Sequence, residues 1–145
     1  MKKRSKYRPK GVIHDTMTYV AGGFKKLTEV RQDVILRTRN YLALSAVESG
    51  TGKPSDVNLL VGVSNMATAI SRQYGQEYRA EIRRGADAVE SIRNRAVRWG
   101  KVQATPTELE AIKLLFEIHD AQLNEVTIAE LHDALKLMGR KVMVL

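Results

Sequence analysis

An all-α fold, a compact bundle of about five helices behind a basic N-terminal arm, follows from three features of this sequence. Apolar residues recur at helical spacing in successive segments. Glycine or proline interrupts the chain between those segments. Two copies of the capping-box pattern, Thr105–Glu108 and Thr127–Glu130, mark helix starts in the last third.

Residues 1–13, MKKRSKYRPKGVI, have no apolar period and are expected to form a mobile arm. A short helix is expected from Asp15 or Thr16 to the Gly22-Gly23 pair. From Phe24 to about Glu48 the pattern predicts a helix whose stripe is Leu27, Val30, Val34, Tyr41 and Ser45, with Ile35 and Leu42 beside it. Gly50 to Pro54 ends it. Ser55 is the expected N-cap of the next helix, about Asp56 to Tyr74, with the stripe Leu60, Val63, Ala67, Ile70 and Tyr74.

A helix is then expected from about Gln76 to Trp99, striped by Tyr78, Ile82, Ala86, Val89, Ile92, Ala96 and Trp99, although Gly85 weakens its interior. Thr105, Pro106 and Glu108 open the following helix, which presents Leu109, Ile112, Phe116, His119 and Leu123. Thr127 opens the last, with Ile128, Leu131, Leu135 and Met138, and Gly139 closes it. The tail from Arg140 to Leu145 has strand-like composition and could equally pack on the bundle. Short connections favour antiparallel neighbours in a single helical domain over residues 14–145.

Composition narrows the function classes. The chain has no cysteine, so a disulfide framework, a thiolate nucleophile and a thiolate metal site are all excluded. That absence fits a reducing cytoplasm. No apolar run reaches the roughly 20 residues of a membrane span, and the basic N-terminus lacks the apolar core of a secretory signal. The expected location is cytoplasmic.

Charge is unevenly distributed. The net charge is +8, and residues 1–10 hold six basic side chains and no acid. Residues 1–101 carry 20 basic and nine acidic side chains, against four and seven in residues 102–145. Such polarity favours an acidic partner for one end of the molecule. Lys2, Lys3, Arg4, Lys6, Arg8 and Lys10 are therefore candidate phosphate contacts, and Tyr7 a candidate for stacking on a base.

Arg84, Arg95 and Arg98 fall near one helical face and would extend the positive surface. Lys101 continues it, while Arg79 and Arg83 form a neighbouring pair. A solvated face with local ion pairs is the simpler reading, because Glu77, Glu81, Asp87 and Glu90 lie among these arginines. The acidic surface of the last two helices could dock a basic partner or serve only for solvation.

Other patterns lead nowhere chemical. His14-Asp15, His119-Asp120 and His132-Asp133 invite a metal reading, and His14, His119, Asp120 and Asp133 resemble in order the ligands of helical metal-dependent phosphohydrolases. Their spacing does not fit that group, and neighbours on a helix diverge by about 100°. His119 on an apolar stripe reads as a core histidine. Gly50-Thr51-Gly52-Lys53-Pro54 lacks the glycine at 47 and the Ser or Thr at 54 that a phosphate loop needs. Neither a catalytic residue, a metal site nor a cofactor is expected.

Lys2 to Gly11, His14-Asp15-Thr16-Met17 and Glu117-Ile118-His119-Asp120-Ala121-Gln122-Leu123 together resemble a group of small phage and prophage proteins of unassigned function. Occasional members of that group carry a regulator label. The likeness covers most of the chain through short patches. It implies a phage setting inside a bacterial host and no chemistry, so it carries over no functional residue. The expected function is thus a non-enzymatic phage regulatory protein that binds DNA or RNA through the arm and the arginine-rich helix. An adaptor or inhibitor that binds a host or phage protein is the alternative, and a homo-oligomer is compatible with both.

Overall fold

The computed structural model describes residues 32–141. Among them five helices follow one another: α1 Gln32–Ser49, α2 Pro54–Tyr74, α3 Arg79–Trp99, α4 Pro106–Glu125 and α5 Ile128–Lys141. The expected arm, the short helix before Gly22 and the end of the C-terminal tail lie outside the described residues.

The all-α bundle is the observed architecture. α2 packs against each of the other four helices, and α3 packs closely on α4. Side-chain ties give the directions. Arg37 reaches Asn124 at one end of the α1–α4 pair and Lys113 reaches Glu48 at the other, so these two helices run antiparallel. Arg95, late in α3, meets Glu108, early in α4, so α3 and α4 are antiparallel as well.

Helix starts follow local chemistry. Thr105 Oγ1 accepts from the Glu108 N–H at 3.2 Å while the Glu108 carboxylate accepts from the Thr105 N–H at 3.3 Å. Thr127 and Glu130 repeat this reciprocal pair at 3.3 and 3.0 Å. α2 begins earlier than expected: Pro54 occupies its first turn, and the Asp56 carboxylate accepts from the Lys53 N–H at 2.8 Å. Proline lacks the N–H that a first-turn residue would leave unpaired, so it opens this helix as well as ending the previous one. Gly100, at φ 68°, closes α3 in the left-handed conformation. α5 runs through Gly139 to Lys141 instead of stopping there.

One core joins the first four helices through Leu44, Val47, Leu60, Val89, Ile92, Ile112, Leu115 and Phe116. Burying each such side chain is worth roughly 1.5–3 kcal/mol. A second, smaller cluster of Ile70, Leu123, Val126 and Ala134 attaches α5 to α2 and α4.

Of the expected stripes, Leu60, Val63, Ala67 and Ile70 of α2 and Ile112, Phe116, His119 and Leu123 of α4 are buried, whereas Tyr41 and Ser45 of α1 are not. Asn40, Ala43, Leu44 and Val47 face the core, whereas Ile35, Tyr41, Leu42 and Ser45 lie outside. The buried face is rotated by roughly 130° from the expected one. Small Ala43 and the half-buried Leu36 continue the inner row, a pattern masked by the larger residues beside it. At the ends of the expected α3 stripe, Tyr78 and Trp99 are also exposed. In α5 Ala134 is buried and Leu135 is exposed.

Candidate functional site

Helix α3 carries the candidate arginines along its length without forming a continuous positive face. Arg84 is 69% exposed and lies 3.6 Å from Glu81, one turn earlier. Arg98 stacks its guanidinium 5.3 Å from the ring centroid of the exposed Trp99. Arg95 turns inward. Only 24% exposed, it donates to both carboxylate oxygens of Glu108 and to the Gln103 carbonyl. The expected stripe is therefore interrupted at its middle member, because the α3–α4 turn places an acidic capping residue within reach of Arg95. Lys2, Lys3, Arg4, Lys6, Tyr7, Arg8 and Lys10 lie outside the described residues.

Glu108 has two roles at this joint. Burial alone would raise its carboxyl above the usual range. Hydrogen bonds from Arg95 and from Thr105 outweigh that cost and hold it below its ordinary value. The Thr105–Glu108 signature revealed the cap, but nothing local to it revealed the guanidinium.

A second polar joint ties α1 to α4. Tyr41 O–H donates to Asp120 Oδ2 at 2.5 Å, and its ring meets Phe116 edge to face at a centroid separation of 5.3 Å. Arg37 donates to Asn124 Oδ1 at 2.7 Å and lies 3.8 Å from Asp120. Burial first, and then the hydrogen bond to Asp120, push the Tyr41 phenol up to about 12. Sequence inspection missed this joint because its members are 79 and 87 positions apart.

His119 is buried among the α4 core residues, with Nδ1 3.3 Å from Gln122 Oε1. The Gln122 amide in turn donates to the Ala67 carbonyl at 3.1 Å. Burial depresses the His119 pKa, since a charged imidazole would lose its hydration there. Asp120 points instead to Tyr41 and Arg37. Among the described residues no three histidine or carboxylate side chains converge as metal ligands. Likewise, no described helix is long and apolar enough to cross a membrane.

Two of the surface depressions that flank α4 draw their lining from several helices. One, of about 740 Å³, lies along its outer side near Glu48, Glu81, Arg84, Glu110 and Leu114. The other, of about 530 Å³, opens where the α2–α3 turn meets the α4–α5 corner, with Ile82 and Ile118 on its floor. Glu77, Glu125 and Glu130 contribute carboxylates to its lining, and Tyr78 stands beside them. Sequence inspection identified neither, because each draws its lining from three or four separate segments. Comparison with family models, curated proteins and solved structures finds no match for this chain.

Proposed function

We propose that this protein is a non-enzymatic regulator, from the phage setting that its sequence suggests, and that it binds nucleic acid. The observation that carries the reading is the concentration of six basic side chains and no acid within residues 1–10 of a chain whose remainder is near neutral. Lys2, Lys3, Arg4, Lys6, Arg8 and Lys10 neutralise backbone phosphates, and Tyr7 stacks on a base. Arg84 and Arg98 add positive charge on α3. Arg95 is committed to Glu108 and drops out of the interface. Recognition is directed mainly at the backbone, with release of counterions as its driving force.

The test is fluorescence anisotropy with labelled duplex DNA, single-stranded DNA and RNA at several salt concentrations. Intact protein is compared with a form lacking residues 2–10. Six phosphate contacts give a slope of about −5 in log affinity against log salt on duplex DNA. Truncation is expected to weaken binding and flatten that slope. Equal affinity and slope in both forms would overturn the assignment.

Exposed apolar side chains on α1 favour a second reading, a protein partner or self-association. Ile35 and Leu42, 57% and 64% exposed, lie two turns apart on one outward face. A specific partner retained after nuclease treatment and high salt would favour this reading.

A further inference from the structure

We propose that the basic segment Lys2–Lys10 docks in the acidic-rimmed groove of its own chain and so competes with nucleic acid for the same side chains, an inference that rests on the nucleic-acid reading above. The groove has the charge to hold a few side chains of such a segment. Its volume is about 530 Å³, and Glu77, Glu125 and Glu130 stand around an apolar floor that includes Ile82 and Ile118. No lysine or arginine is among its described lining residues. Tyr78, 54% exposed, adds an aromatic ring to the lining, and such rings attract cations.

Lysine and arginine suit both parts of this surface. Their methylene stems lie along apolar floor while their charged ends reach the carboxylates. A cationic segment adds opposite charge beside these carboxylates, which an uncharged apolar peptide does not, and an acidic ligand would be repelled. The six basic residues in positions 1–10 form the densest positive segment of the sequence.

Topology places the groove within reach. α1 runs antiparallel to α4, with Arg37 beside Asn124, so α1 begins at the end of the bundle where α4 finishes. The groove opens at that same end, lined by Ile70 and Gly75 from the α2 terminus and by Gln122 to Val126 from the α4 terminus. Lys10 precedes Gln32 by 22 positions. A chain of that length spans roughly 70 Å when extended, more than the width of a small domain. Tethering raises the effective concentration of the segment to the millimolar range, so modest contacts suffice.

Docking would regulate binding by simple competition. A lysine paired with Glu77 cannot at the same time neutralise a phosphate, and apparent nucleic-acid affinity falls in proportion to the docked fraction.

The first test is zero-length carbodiimide cross-linking of the full chain at low and high salt, read by mass spectrometry. Lys113 and Glu48, 2.6 Å apart, supply an internal positive control. Amide links from Lys2, Lys3, Lys6 or Lys10 to Glu77, Glu125 or Glu130, lost at high salt, are the expected result. Mixing isotopically light and heavy chains identifies the donor, and links within one isotope support docking in the same chain. The control link without any arm-to-groove link overturns the proposal, as do mixed-isotope links.

The second test measures nucleic-acid affinity of a Glu77→Gln, Tyr78→Ser variant, both sites being exposed. A gain of about three- to tenfold is expected, with no such gain for Glu90→Gln, which makes the same charge change on the outer face of α3. Equal affinity of the variant and a wild-type protein that does bind overturns competition while the nucleic-acid reading stands. Absence of binding by both overturns that reading and the competition, and the cross-links still decide whether the segment docks.

Discussion

Gly85 of α3 and Leu115 of α4 meet so closely that a Cβ at position 85 would lie 2.6 Å from the Leu115 Cβ and 3.2 Å from the Ala111 carbonyl oxygen. The glycine that looked like a weak point in a helix is the place where two helices approach. Alanine there would gain helix propensity of up to about 1 kcal/mol, but the crossing cannot admit a methyl without moving α4. Gly85→Ala is therefore expected to lose about 1–2 kcal/mol net and lower the Tm by about 3–7 °C. Gly62→Ala in α2, where the added methyl meets open space, is expected to raise it. A rise for both variants in thermal unfolding would refute the close-crossing account.

Arg95→Ala should cost about 1–3 kcal/mol, because Glu108 would keep a partly buried charge without its main partner. A double-mutant cycle with Glu108→Gln should give a coupling above about 0.5 kcal/mol. Since folding lowers the Glu108 pKa, its ionised form contributes stability above the ordinary value of 4.5, and the contribution is lost as pH falls through the folded value. Chemical denaturation of the four proteins at pH 7 and at progressively lower pH checks both points. Additive effects would reduce this pair to a surface contact.

Tyr41 should ionise near pH 12, well after an ordinary tyrosine at about 10. Ultraviolet difference titration should resolve that late component, and Tyr41→Phe should abolish it. The neutral phenol is favoured by folding, so its contribution is complete below pH 10 and lost as pH rises toward 12. A wild-type titration that matches the variant would remove the Tyr41–Asp120 bond from the account of the α1–α4 joint.

His119 gives the opposite acid-side behaviour. Folding depresses its pKa below the ordinary 6.5, so the unfolded chain takes up a proton first as pH falls. Stability due to neutral His119 is present above about pH 6.5 and declines below it. Between pH 7.5 and 5.5 the wild type should lose more unfolding free energy than His119→Gln. Equal losses in denaturant titrations would mean that His119 is protonated within the fold as readily as outside it.

Helix positions were legible wherever a local signal governs them. Thr105, Pro106 and Glu108 act within one turn, as do Thr127 and Glu130, so their meaning does not depend on distant parts of the chain. The apolar rows of α2 and α4 were legible too, because these helices are flanked by several others and their pattern is broad. α1 was misread because large residues at 35, 41 and 42 resemble a buried row, while the true row depends on the smaller Ala43 and on Asn40. Which face turns inward there is set by neighbours that periodicity does not see.

The same division separates charge from presentation. Local composition already establishes a basic segment at residues 1–10 and the helical character of the described residues, since counterion release and helix propensity depend on residue types and short spacings. Tertiary packing settled which arginines of α3 face outward, turning Arg95 to Glu108 and leaving Arg84 in solvent. It also gathered Glu77, Glu125 and Glu130 around one groove. Those outcomes require helices far apart in the chain to meet, and the energies that decide them are the desolvation and pairing of groups brought together only by folding.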